Sequence, residues 1–325
     1  MPGLPLIVDV KRHSLEDGPG IRSVVFFKGC PLRCVFCQNP EAWDAHAEIA
    51  FRVDRCVGCG ACVSACPSGA IDLAMPGRIH RQHCDACGKC AVACPSSALA
   101  VIGRTYEVDE LALLLMRDEP FYRRSGGGVT FSGGECTMFP EYLEAVARAV
   151  QTRGIHVAVE TSGEFPGEMF VERLLPVLDL IYFDVKFADP AQHLAHTGRD
   201  NRRILDNLVL LMQKAPERVQ VRIPLIPGIT ATEENLAGLV ACLRERGVRR
   251  ATLLSYNPLG RRMAAQLGLP EPPTPERFMT KEEQASAIAL FDALVSPAAF
   301  LPSPMAAAGV HRCTRSQVLR MRLPP

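Results

Sequence analysis

FFKGCPLRCVFCQNP, residues 26 to 40, sets Cys30, Cys34 and Cys37 in the spacing C-x3-C-x2-C and supplies no fourth cysteine. A cubane iron-sulfur cluster needs four ligands. Three thiolates on such a cube leave one iron open, much as a catalytic zinc keeps an unoccupied vertex where a structural zinc does not. Something from outside the chain must bind there. The apolar run from Val24 to Lys28 reads as a strand, so the cysteine loop follows a strand's carboxyl end.

Downstream of this loop, apolar β-rich runs alternate with amphipathic helical stretches. The pattern predicts further strands near Val129 to Ser132, His156 to Thr161, Ile181 to Val185, Val219 to Pro224 and Ala251 to Tyr256. Helices are predicted at roughly Val108 to Arg117, Pro140 to Thr152, Met169 to Val177, Asn201 to Lys214, Glu233 to Arg246 and Lys281 to Leu294. Strand alternating with helix argues for an α/β fold of parallel units, either a doubly wound sheet or a partial (β/α)6 barrel. In both, chemistry gathers at the carboxyl ends of the strands.

Two segments repeat each other at an offset of 28 residues: RCVGCGACVSACPSGAI from Arg55 and HCDACGKCAVACPSSAL from His83. Each is C-x2-C-x2-C-x3-C-P, and a repeat of this length is a module of its own. The expected organisation is a catalytic domain over residues 1–47 and 104–296, interrupted by an insert over 48–103 and followed by a tail, 297–325. The tail is rich in proline, alanine and arginine, holds no acidic residue and is expected to be disordered, with no obvious closing strand.

In a compact module, thiolates two residues apart converge on one cube while the cysteine before proline reaches across to the other. On that rule Cys56, Cys59, Cys62 and Cys94 hold one [4Fe-4S] cluster, and Cys84, Cys87, Cys90 and Cys66 hold the second. Structural zinc is the alternative, but it rarely uses three cysteines in C-x2-C-x2-C register with a further C-P, and here that pattern appears twice. The signal resembles bacterial two-cluster ferredoxins and speaks for electron transfer.

Eleven of the fourteen cysteines fall in these three groups, which points to metal in a reducing cytoplasm rather than disulfides. The others, Cys136, Cys242 and Cys313, read as small buried or idle thiols. With 36 basic against 35 acidic side chains, no global field steers the chain to nucleic acid or to a membrane. Its amino-terminal apolar stretch is too short for a signal peptide, the apolar segment from Ala287 to Val310 is broken by Asp292 and three prolines, and a monomer is expected.

The loop Cys30, Cys34, Cys37, with Phe36 before the last cysteine, resembles that of the radical S-adenosylmethionine (SAM) superfamily. More closely, DGPGIRSVVFFKGCPLRCVFCQNPE resembles the opening of the activating enzymes for glycyl radical enzymes, many of which carry a ferredoxin-like insert. The resemblance implies a partial barrel with three [4Fe-4S] clusters, one of them chelated by SAM at its open iron. It implies reductive cleavage of SAM to methionine and a 5′-deoxyadenosyl radical, which removes an α-hydrogen from a glycine of a partner enzyme. A flavodoxin or ferredoxin is the implied electron donor.

Site residues follow from the same resemblance. Ser132, Gly133, Gly134 and Glu135, the SGGE stretch, would hold the SAM amino group, the glycines by letting backbone come close and Glu135 by its charge. Glu160, where relatives more often have Asp, would share that ammonium. Asp184 and Lys186, on one face of a strand, match a pair that contacts ribose and carboxylate. Arg222 lies near the same mouth, as a ligand contact or a plain salt bridge, Asn235 is a ribose candidate, and Phe36 is placed to stack on adenine or pack in the core. Two rival functions share part of this pattern: a radical SAM enzyme acting on another peptide or small molecule, and a plain electron carrier of ferredoxin type.

Overall fold

A computed structural model describes residues 3–294 and, for the backbone alone, 318–322. The strands are β1 (Ile7–Ser14), β2 (Arg22–Phe27), β3 (Glu48–Phe51), β4 (Leu99–Ile102), β5 (Gly128–Gly133), β6 (His156–Thr161), β7 (Leu180–Asp184), β8 (Val219–Leu225), β9 (Arg250–Ser255) and β10 (Val318–Arg322). The helices are α1 (Ala61–Ala65), α2 (Lys89–Val92), α3 (Val108–Met116), α4 (Glu119–Ser125), α5 (Pro140–Gln151), α6 (Gly167–Met169), α7 (Pro190–Thr197), α8 (Arg202–Lys214), α9 (Glu233–Glu245), α10 (Leu259–Gln266) and α11 (Lys281–Leu294).

Strands β2, β5, β6, β7, β8 and β9 are parallel and neighbour one another in chain order. A doubly wound sheet would reverse that order at a switch point. None occurs, so the six units wind one way as a partial (β/α)6 barrel, which decides between the two architectures the sequence allowed. β1 runs antiparallel on the free edge of β2. β10 runs antiparallel on β9, with Val318 opposite Leu254 and Arg322 opposite Arg250.

That last strand corrects the expectation that the tail has no closing strand; VLRMR has the short alternation of an edge strand, outweighed by the proline-rich sequence before it. The rest of the tail, Cys313 included, lies outside the described residues.

The two faces of each parallel strand differ in kind. Val25, Phe27, Val129, Phe131, Val157, Val159, Ile181, Phe183, Val221, Ile223 and Leu253 face outward into a core shared with Leu143, Val146, Leu208, Leu239 and Phe291 of the helices. The alternate positions, including Arg22, Thr130, His156, Glu160, Asp184 and Arg222, turn into the barrel, where Arg22 Nε donates to Thr130 Oγ1 at 2.6 Å.

Between β2 and β5 the insert folds on a two-stranded antiparallel sheet, Glu48 opposite Ile102 and Phe51 opposite Leu99. Its two cysteine repeats have matching turns: α1 follows Gly60 and α2 follows Gly88, both left-handed at φ 77°. A small separate core of Ile49, Phe51, Ile71, Ile79, Ala98 and Leu99 gathers six of the insert's eight cysteines, leaving out Cys59 and Cys87.

Candidate functional site

Where β2 ends, the chain turns at Gly29 and the cysteine loop begins. Its two ends are stitched together, Gly29 N to Ala42 O at 2.8 Å and Cys30 N to Trp43 O at 3.1 Å. Its outer arm is held by the end of α7: Arg33 N bonds Thr197 O at 2.8 Å and Val35 N bonds His196 O at 3.0 Å. Cys34 and Phe36 sit in an apolar nest of Leu32, Phe187, Ile226 and Tyr256, with Cys30 and Cys37 against it. Phe36 also reaches the cavity wall, so it serves packing and lining together.

All three thiols line a cavity of about 510 Å³ at the carboxyl ends of the barrel strands, a size suited to a small-molecule site. The described lining contains no fourth cysteine. Burial pushes the Cys30 thiol up to about 12 and raises Cys34 and Cys37 as well. Metal-free, these groups stay protonated, and binding iron would expel their protons. Three soft donors around a shared hollow fit a cube with one corner left over. Among the described residues no three His, Cys, Asp or Glu side chains converge on one ion-sized position; ligands of a cube meet separate corners and need no such convergence.

Across the cavity, a chain of ionic and hydrogen-bonding groups runs over four neighbouring strands, β5 to β8. Arg222 Nε donates to Asp184 Oδ1 at 2.8 Å and Nη1 donates to Glu160, while Ser132 Oγ donates to Glu160 Oε2 at 2.6 Å. Lys186 Nζ lies 3.6 Å from Asp184 Oδ2, and the Arg222 guanidinium lies 4.9 Å over the Tyr182 ring. Burial opposes ionisation of Asp184, but Arg222 and Lys186 overcome it and hold the carboxyl below its usual range. Burial would likewise pull Lys186 down, and Asp184 leads the charges that leave it raised. Glu160 moves the other way because burial outweighs its cationic neighbour. The cavity therefore offers both signs of charge within one wall.

The glycines of the SGGE stretch are required by close approach. A Cβ on Gly134 would fall 2.1 Å from Gly29 O, and one on Gly133, at φ +106°, would fall 2.3 Å from Phe27 N. Ser132, Gly133 and Gly134 line the cavity. Glu135 does not. Its carboxylate is fully buried and takes bonds from Thr137 Oγ1, Thr161 Oγ1, Ser162 N and Ser162 Oγ at 2.6–2.8 Å. It ties the end of β5 to the end of β6, in place of the expected direct offer of charge to an ammonium.

Asn235, the ribose candidate, is not among the residues lining the cavity. Its amide donates to Lys186 O at 3.0 Å and Thr230 O at 2.9 Å, while its Oδ1 accepts from Ala188 N at 3.3 Å. It braces the loop that carries Lys186 from behind. A side chain with this many backbone partners is already satisfied.

In the insert, Cys94 lines the same small pocket as Cys56, Cys59 and Cys62, the grouping set by the cross-over rule. Cys90 lies close enough to Cys84, Cys66 and Cys87 to feel their charge, which joins the other four. Cys59 and Cys87 are the exposed members. Of the scattered cysteines, Cys136 is buried behind Glu160 and Cys242 lies beside Arg246; both have packing roles.

Two site neighbours escaped the sequence reading. Lys28, directly before the loop, is fully buried. Glu41, at the loop's far end, lines the cavity, its buried Oε2 has no partner among the described residues, and burial pushes its carboxyl up to about 7. Both lie in FFKGCPLRCVFCQNPE, and a charged residue inside so apolar a run was the available signal.

Residues 82–240 match the radical SAM superfamily and residues 49–72 match a 4Fe-4S binding domain. The chain is 45% identical over 240 residues to a benzylsuccinate synthase activating enzyme of Thauera aromatica, covering 72% of each chain. It is 39% identical to a choline trimethylamine-lyase activating enzyme of Oleidesulfovibrio alaskensis, over 81% of this chain and 87% of that one. With a trans-4-hydroxy-L-proline dehydratase activating enzyme of Clostridioides difficile the identity is 38%, over 79% and 86%. Taken with the parallel barrel and the cysteine loop at its carboxyl end, these matches place the chain in the radical SAM superfamily and, within it, among the glycyl radical enzyme activating enzymes.

Proposed function

We propose that the cavity binds SAM against a [4Fe-4S] cluster held by Cys30, Cys34 and Cys37, and that the protein uses it to install a radical on a glycine of a partner enzyme. When bound, cluster and cofactor supply an electron-driven cleavage of SAM to methionine and a 5′-deoxyadenosyl radical, which takes the glycine α-hydrogen. One observation carries this reading: three thiols and a wall of both charge signs share one hollow of about 510 Å³.

The chain's own residues then have distinct tasks. Lys186 pairs with the cofactor carboxylate, Asp184 accepts from a ribose hydroxyl, and the backbone at Gly133 and Gly134 approaches the amino group. Arg222 neutralises Glu160 and Asp184 so that two carboxylates can share the wall. Phe36 and Leu32 shield the thiols from water. Residues 48–103 form a two-cluster module that receives electrons from a flavodoxin or ferredoxin; the exposed Cys59 and Cys87 support that reading. The catalytic domain comprises residues 1–47 and 104–296, and the protein acts as a monomer.

Anaerobically reconstituted protein is expected to hold about twelve iron per chain and to release deoxyadenosine from SAM once reduced; about eight iron would match the repeat alone. Cys34→Ala should abolish cleavage and spare the insert clusters. With its partner present, the protein should give a glycine-centred doublet in electron paramagnetic resonance. Cleavage that persists in Cys34→Ala sinks the site assignment, whereas cleavage without the doublet moves the substrate to another peptide or a small molecule.

A further inference from the structure

Lys28 is the last residue before Gly29 opens the cysteine loop, and its side chain is fully buried. An ammonium in that position must find partners, because an unpaired buried charge is strongly destabilising. Its two partners lie on different parts of the molecule. Nζ donates to the backbone carbonyl of Glu41 at 2.8 Å, at the far end of the same loop, and to Glu48 Oε2 at 2.6 Å, the first residue of the insert's β3. The other end of the insert closes on the lysine stem: a Cβ on Gly103, just past β4, would fall 3.1 Å from Lys28 Cδ.

A second brace reaches the loop from the same module. Arg81, in the insert, donates to Ile49 O and, at 3.2 Å, to Gln266 O at the end of α10. The first turn of α10 presses on the loop itself, since a Cβ on Gly260 would lie 2.1 Å from Cys37 O. Both ends of the cysteine loop are therefore held against elements that the insert fixes in place.

We propose that Lys28 is a positioning residue through which the insert sets the geometry of the Cys30–Cys37 loop, so that the insert supports SAM binding by shape, whatever electrons pass through it. This rests on the reading of that loop as the SAM-binding cluster site. A ferredoxin-like module joined only for electron supply would need no ion pair with a fully buried lysine at the base of the loop. Here one Nζ bonds both the far end of the loop, at Glu41 O, and the insert, at Glu48.

The test compares wild type, Lys28→Met, Glu48→Gln and the double variant, each reconstituted anaerobically and reduced with dithionite, which bypasses any relay through the insert. SAM is titrated against the paramagnetic resonance spectrum of the reduced site cluster, with iron content measured in parallel and KM separated from kcat. Both single variants are expected to bind SAM at least about tenfold more weakly at unchanged iron, with KM moving more than kcat. The double variant should be no worse than Lys28→Met, because the two residues act as a unit.

Wild-type affinity in Glu48→Gln overturns the proposal, and this variant, altered at a partly exposed carboxylate, stays informative even if Lys28→Met does not fold. Weakening that only follows lost iron overturns it too, in favour of plain stability. Should wild type itself show no spectral response to SAM, the cluster reading fails first and takes this inference with it. If only the variants stay silent, the loop's positioning is what they have lost.

Discussion

Gly134 sits where three backbones meet, its missing Cβ leaving room for Gly29 O at 2.1 Å and Ala42 O at 2.6 Å. Gly134→Ala must therefore push the cysteine loop away from β5, and site iron and deoxyadenosine release are both expected to fall by about tenfold or more, the equivalent of ~1.4 kcal/mol. Arg222→Lys keeps the charge but cannot span Glu160 and Asp184 with a planar fork; KM for SAM should rise by about tenfold with iron unchanged. An unaltered KM would mean that the bridge is ornamental. The chemistry of these positions was legible as residue types, because glycines, carboxylates and a lysine at strand ends have few other reasons to gather. What the sequence could not convey is direction. Glu135 and Asn235 have the right chemistry but spend it on neighbouring backbone and hydroxyl groups, and only packing decides which way a side chain at a strand end turns.

Elements were read with uneven success, for physical reasons. The six barrel strands and the long helices α5, α8 and α9 carry strong periodicity, and their bounds lie within a residue or two of expectation. Shorter helices were missed although the signals were present: α7 has Asp189 as N-cap accepting from Gln192 N at 2.7 Å, Pro190 in its first turn and Gly198 at φ 80° beyond its end. The span predicted as one helix from Met169 to Val177 is helical throughout but not α-helical: a π-helix, Phe170–Leu174, runs into a 3-10 helix, Leu175–Val177, where Pro176 removes a donor. At this scale Phe131→Ala, in the middle of β5 and fully buried between strands and helices, should cost ~3–5 kcal/mol. A urea midpoint within error of wild type would contradict the outward-facing core.

At the scale of the whole molecule, stability should depend on pH through two histidines. Burial holds His156 and His193 below the ordinary value of 6.5. The unfolded chain takes up protons as pH falls through 6.5 and the folded chain only at lower pH, so stability is full above that point and declines below it. Glu41, whose carboxyl burial pushes up to about 7, contributes the opposite slope in this window, so the histidine part is read as a difference: the gap in holoprotein urea midpoint between wild type and His156→Gln should widen as pH rises from about 5.5 to 7.5. The repeat was legible because spacing alone groups those cysteines, and Cys94 shares a pocket with Cys56, Cys59 and Cys62. The seating of the insert on Lys28 was not, since it depends on a contact across twenty residues that no local pattern announces.

The barrel's two-faced strands have a wider consequence. Aliphatic and aromatic groups that hold the fold together occupy every second position, and the residues facing the barrel interior, among them Thr130, Glu160, Asp184 and Arg222, occupy the positions between them. These duties are segregated residue by residue along the same strand. The hollow can therefore be refitted for a different cargo by alternate-site exchanges, with the hydrophobic scaffold outside left untouched.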